Sequence, residues 1–96
     1  MYHLVRIVYD DSCKFILDVV KEYNIKKETY NLNHHKEKKD GIPILTRNGT
    51  RNVPLITLVD ENGEENKVIW SETNPNWKKE LDELLITDDL IIDNNL

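Results

Sequence analysis

The most reactive side chain in this 96-residue sequence is its single cysteine. Cys13 lies in Tyr9-Asp10-Asp11-Ser12-Cys13-Lys14-Phe15-Ile16, directly after an apolar run and directly before a helical stripe. In an open α/β sheet, the carboxyl end of a strand beside a helix start is where ligands and reactive groups collect. A thiol in the first turn of a helix meets unpaired backbone N–H groups and the positive end of the dipole, which favour thiolate. Lys14 pushes the same way. Asp10 and Asp11 oppose it, because nearby negative charges disfavour a third. The bland alternative is a buried, inert cysteine that packs as a small apolar side chain, and sequence position leaves both open.

Two further segments could shape a site around that thiol. Gly49-Thr50-Arg51-Asn52-Val53-Pro54 is a loop that ends in a proline just before an apolar run, which at its simplest is an edge-strand start. Trp70-Ser71-Glu72-Thr73-Asn74-Pro75 is, at its simplest, a strand end, a loop and a helix cap. Other chemistry is not indicated. One cysteine excludes an intrachain disulfide and a zinc site of several thiolates. His34 and His35 are adjacent and point apart on a helix or strand, and His3 is distant, so no metal site is expected. There is no Gly-rich phosphate loop, paired-carboxylate signature or serine elbow.

The elements that must position these residues follow from periodicity. Leu4-Val5-Arg6-Ile7-Val8-Tyr9 predicts a largely buried strand. Asp10, Asp11 and Ser12 are N-cap types, and Ile16, Val19, Val20 and Tyr23 form a helical stripe behind them, closed by Asn24. A second strand is predicted at about residues 28–32, and links this short make a βαβ unit with parallel strands. Residues 33–52 contain Gly41, Pro43 and Gly49 and predict at most a short helix. Leu55–Val59, a turn at Asp60–Gly63 and Lys67–Trp70 predict an antiparallel hairpin. Asn74-Pro75 predicts an N-cap followed by Pro at the first helical position, with Trp77, Leu81, Leu84 and Leu85 as the buried stripe of the last helix. The order is β-α-β-(α)-β-β-α in one domain over residues 1–85. Residues 86–96 form an acidic tail, expected to be peripheral, although Leu90-Ile91-Ile92 has the character to dock.

Composition narrows the partners. Charged residues are 13 Lys+Arg against 18 Asp+Glu, for a net charge of −5. Residues 1–52 hold ten basic and seven acidic side chains, and residues 53–96 hold three and eleven, so the halves carry +3 and −8. An acidic second half argues against nucleic-acid binding, which needs clustered Lys and Arg for phosphates. Lys36, Lys38 and Lys39 alternate with Glu37 and Asp40 and read as a solvated face. No apolar run is long enough to cross a membrane. Met1–Arg6 lacks the basic and apolar regions of a signal peptide, so a cytoplasmic location and a monomer are expected. Ala and Gln are absent while Asn, Ile and Lys are abundant, the bias of a low-GC bacterial or phage source.

Taken together, these features resemble the thioredoxin-like superfamily, and within it the glutaredoxin-like redoxins that supply electrons to ribonucleotide reductase. The resemblance spans roughly residues 3–85. It rests on the strand–Cys13–helix start, a Gly-x-Arg-x-Val/Leu-Pro loop present as Gly49, Arg51, Val53 and Pro54, and a Trp-Ser-x-x-x-Pro segment present as Trp70, Ser71 and Pro75. It implies an α/β, thioredoxin-like fold, a four-stranded mixed sheet flanked by helices, with a cis Val53–Pro54 bond and residues 55–59 antiparallel to residues 4–9. It also implies that Val53 and Pro54 receive an extended substrate chain beside Arg51, Trp70 and Ser71. The partner would be ribonucleotide reductase or another thiol protein.

The departure from the family is the missing second thiol of its C-x-x-C signature. Counting from the strand, Cys13 takes the first, nucleophilic position. Counting from the helix stripe and the second strand, it takes the second, resolving position and Asp10 stands in the first; this register is slightly preferred. Two functions follow. One is monothiol thiol–disulfide exchange through Cys13, modulated by Asp10, Asp11 and Lys14. It would need an outside thiol to release the mixed disulfide. Glutathione serves that route in glutaredoxins, but their Gly-Gly binding pair is absent here, so no cofactor is expected. The other is a redox-inactive binding module of the same fold acting on a protein partner.

Overall fold

The computed structural model describes residues 2–70, 74–87 and 90. Its elements are β1 (Tyr2–Tyr9), a single 3-10 turn (Asp11–Cys13), α1 (Phe15–Val20), β2 (Lys27–Asn31), α2 (His35–Arg47), β3 (Leu55–Asp60), β4 (Glu65–Trp70) and α3 (Trp77–Ile86). The strands form one mixed sheet in the order β2-β1-β3-β4. β1 and β2 run parallel, with Ile7 opposite Thr29, while β1 and β3 are antiparallel, with Ile7 opposite Ile56. β4 closes the hairpin against β3. This is an α/β fold with a four-stranded mixed sheet and three helices.

Burial on both faces explains why β1 and β3 read as continuous apolar runs rather than alternating ones. Val5, Ile7 and Tyr9 of β1 pack on one face with Ile16 and Val20 of α1 and Trp77 and Leu81 of α3. Val8 and Leu55 pack on the other with Ile44 and Leu45 of α2. Beyond α2 that second face is closed by charge. Arg6 Nε lies 2.8 Å from Glu28 and its Nη1 3.5 Å from Glu65, and the fully buried Thr57 hydroxyl donates to Glu65 at 2.9 Å. Arg47 of α2 pairs with the same carboxylate.

Residues 33–52 depart most from expectation, since α2 runs 13 residues through both Gly41 and Pro43. Gly41 is there for proximity. A Cβ at this position would meet Leu32 Cδ2 at 2.9 Å and Tyr30 Cβ at 3.3 Å, so glycine lets the helix lie flush on β2 without displacing the Leu32 side chain. Pro43 sits on the exposed side, where the carbonyl it leaves unpaired can turn to water. The helix ends in a Schellman arrangement: Gly49, at φ +72, donates to Thr46 at 3.0 Å and Thr50 donates to Leu45 at 3.1 Å. The last helix also starts later than Asn74-Pro75 suggests. Asn74 Oδ1 accepts the Asn76 N–H at 3.2 Å, making a turn that defers α3 to Trp77. From the tail, Leu90 is buried in the first core and bridges Tyr2. No helix among the described residues is long and apolar enough to cross a membrane.

Candidate active-site turn

Register brings the sequence candidates to one end of the sheet. β1 and β2 finish there with Tyr9 opposite Asn31, β3 begins there with Leu55 opposite Val8, and β4 finishes there with Trp70 opposite Ile56. Asp10 leaves β1 in an extended conformation and caps the 3-10 turn. Its carboxylate accepts the Ser12 N–H at 2.9 Å and also the Ser12 hydroxyl. The Cys13 N–H donates to the Asp10 carbonyl at 3.1 Å.

This turn folds the thiol back on its own cap. Cys13 is 5% exposed. Its Sγ receives the Asp10 N–H at 3.4 Å and lies 3.5 Å from Asp10 Oδ1 and 3.6 Å from the Asp10 carbonyl. Burial pushes the thiol pKa up, the Asp10 carboxylate adds to the rise, and the Asp10 N–H only partly offsets them. Asp10 itself is held below the usual carboxylate range, chiefly by the Ser12 hydroxyl. The pair therefore rests as an anionic carboxylate beside a neutral thiol. Lys14 does not offset this, since its ammonium lies 3.8 Å from Asp11 and both side chains are exposed. The first residue of α1, Phe15, stands 54% exposed beside the turn.

A second layer, which the sequence reading missed, fixes the turn from the β2–α2 connection. Asn31, fully buried at the end of β2, donates through Nδ2 to Asp11 Oδ1 at 3.2 Å and accepts the Asn33 N–H at 2.9 Å. Asn33 Oδ1 accepts the Asp11 N–H at 2.7 Å. The Asn31 N–H in turn reaches Glu37, whose other oxygen lies 2.6 Å from His34 Nδ1. The signal was present as Asn-x-Asn at a strand end, a pattern that favours side-chain-to-backbone turns.

The remaining candidates are arranged around this end. Val53–Pro54 is cis, Pro54 is buried, and Val53 packs against both core clusters. Arg51 is exposed and lines a hollow with Leu32, Ile42 and Leu45 rather than reaching the thiol. Trp70 ends β4, and Ser71 lies outside the described residues. No group of His, Cys, Asp or Glu among the described residues could hold a metal ion. In comparisons with known proteins, no family profile, curated protein or solved structure matches the chain, and the chemistry of the turn rests on its own geometry.

Proposed function

We propose that this chain is a thioredoxin-like module, similar to the glutaredoxin-like redoxins of ribonucleotide reductase, that docks on a protein partner without cycling a dithiol. The observation that carries the reading is the Asp10–Cys13 pair: a capping carboxylate and, three residues later and 3.5 Å away, a buried thiol; in the preferred register Asp10 stands at the position of the nucleophile in the dithiol redoxins. The sheet order with one parallel pair and the cis Val53–Pro54 bond support the fold part of the reading. In it, the Val53 backbone pairs with an extended partner chain, and Arg51, Trp70 and Ser71 are the further residues the resemblance assigns to that surface.

One observation favours monothiol exchange as a second reading. The Asp10 N–H donates to Sγ at 3.4 Å within the folded turn, a contact that stabilises a thiolate there. That thiolate would attack a partner disulfide, release one partner thiolate and stop at a mixed disulfide until an outside thiol, such as glutathione, displaced it.

Alkylation of Cys13 by iodoacetamide across pH separates the two. The docking reading expects reaction at least about tenfold slower than in the urea-unfolded chain at pH 8, with an apparent pKa above the ordinary ~8.5. Fast alkylation with a pKa below that value would overturn it in favour of exchange. The unmodified chain is expected not to catalyse reduction of insulin disulfides by dithiothreitol, and Asp10→Cys is expected to gain that activity. Ile16→Cys should not.

A further inference from the structure

Helix α2 carries two outer stripes of different character. Of its acidic residues, Glu37 accepts the Asn31 N–H and faces His34, while the exposed Asp40 lies off the second stripe by helical spacing. That second stripe runs through His35, Lys38, Lys39, Ile42 and Thr46 at helical spacing, all exposed. The alternation of charge along the sequence thus separates on the helix into a stripe with no acid.

Ile42, 44% exposed, is a ridge between two hollows on this stripe. One, of about 300 Å³, is floored by Leu32 and Leu45 and edged by Arg51. The other, of about 380 Å³, lies against Pro43 and is edged by Lys38 and Lys39. Among the described residues, Lys38, Lys39 and Arg51 enter no ion pair. An exposed apolar ridge with an apolar hollow on each side and unpaired cations at the rim is complementary to one kind of chain.

We infer that this stripe of α2 docks an acidic protein segment. Its apolar side chains seat in the hollows on either side of Ile42, and its carboxylates meet Lys38, Lys39 and Arg51. A nucleic acid fits less well, because three rim cations around an apolar centre neutralise few phosphates and residues 53–96 carry −8. The inference rests on the docking reading above for the partner being a protein, and is independent of Cys13.

The test is a ¹⁵N NMR titration of the full chain with the peptide acetyl-Asp-Asp-Leu-Asp-Leu-Leu-Asp-Asp-amide. A peptide with Lys in place of Asp and an oligo-dT of similar length serve as comparators. Amide shifts at Lys38, Ile42, Thr46 and Arg51 with the acidic peptide alone are expected. Ile42→Asp should weaken binding at least about tenfold, and Lys38→Glu with Lys39→Glu should do so at low salt with a smaller effect at high salt. These positions are exposed, so an unchanged melting temperature assigns the loss to binding; if a variant unfolds, the shift map and salt dependence of the unmodified chain decide. Equal binding of the Lys peptide, binding of oligo-dT instead, or no shifts on α2 would overturn the inference. Shifts confined to Phe15 and Val53 would overturn it while sparing the docking reading. Shifts on α2 together with fast Cys13 alkylation would sustain it while overturning the redox-silent reading.

Discussion

The sulfur of Cys13 lies 3.5 Å from the carboxylate oxygen of Asp10, the residue that caps its own turn. At this distance two negative charges repel strongly unless water or a cation screens them. Asp10 is stabilised as an anion by Ser12, and Lys14 is paired elsewhere, so the cost falls on the thiolate. The same carboxylate that shapes the turn therefore restrains its only thiol.

Asp10→Asn separates shape from charge. The amide oxygen can still accept the Ser12 N–H, while the negative charge beside Sγ is gone. Alkylation of Cys13 at pH 8 should accelerate several-fold over the unmodified chain, yet stay slower than in the unfolded chain because burial, the larger cause, persists. Rates followed by mass spectrometry would show this; an unchanged rate would mean that burial alone sets the reactivity.

The raised thiol pKa also makes stability depend on alkaline pH. A group whose pKa is higher in the folded state contributes stability in full below its unfolded value, near ~8.5 for cysteine, and loses it as pH rises through the folded value. Urea unfolding at pH 7, 9 and 10 should show a decline that Cys13→Ala flattens. Tyr30, pushed up to about 12 by burial and by its bond to Glu28, adds its own decline only at higher pH.

What the sequence made legible was the layout, and what it hid were the distances. Two-faced burial and the Asn62-Gly63 turn placed β1, β3 and β4, and the cap residues at Asp10–Ser12 placed the turn. Helix α2 was hidden because Gly41 and Pro43 are breakers by local propensity. Only the close approach to Tyr30 and Leu32 makes that glycine favourable. The position of Cys13 relative to Asp10 was equally hidden, since two registers fit the spacing and only the folded turn sets the sulfur against its cap. The local turn of Asn31 with Asn33 was legible as Asn-x-Asn at a strand end, but the bond of Asn31 to Asp11, twenty positions away in the chain, was not.

Asn31 links β2 to the Asp10–Cys13 turn, and its removal should act at a distance. Asn31→Ala removes the two bonds that this buried side chain makes to Asp11 Oδ1 and the Asn33 N–H; both partners are exposed and turn to water, so the loss is about 1–2 kcal/mol. The turn should also open more often. Hydrogen exchange at Ser12 and Cys13 and alkylation of Cys13 are both expected to rise. A stability loss with unchanged alkylation would confine Asn31 to a role in the β2–α2 connection.

The glycine under α2 has a sterically defined tolerance. Gly41→Val puts a branched side chain against Leu32 Cδ2 and Tyr30 Cβ, so the Leu32 side chain or α2 itself must shift. The expected cost is about 1–3 kcal/mol despite the better helix propensity of valine. Thermal unfolding monitored by circular dichroism measures it, and a neutral effect would mean that Leu32 and the helix adjust together.

Glu65 gathers the polar half of the sheet face, and acid should expose its role. Its side chain is 8% exposed, and burial alone would raise its pKa, but Arg47, the Thr57 hydroxyl and Arg6 outweigh burial and hold it below the usual range. A carboxylate depressed in the folded state contributes stability that is present above its unfolded pKa, near ~4.3, and lost as pH falls through the folded value. Glu65→Ala strips the buried Thr57 hydroxyl of its acceptor and leaves Arg6 with Glu28 alone. The cost is set at about 2 kcal/mol rather than the larger penalty of a fully orphaned charge, because Arg6 keeps one partner and Arg47 is half-exposed. Glu65→Gln retains an acceptor for Thr57 and removes the charge, so its stability should change less between pH 5 and pH 3 than that of the unmodified chain. Parallel acid unfolding curves for the two proteins would show that the acid sensitivity lies in other carboxylates, with Glu28 beside Arg6 the next to test.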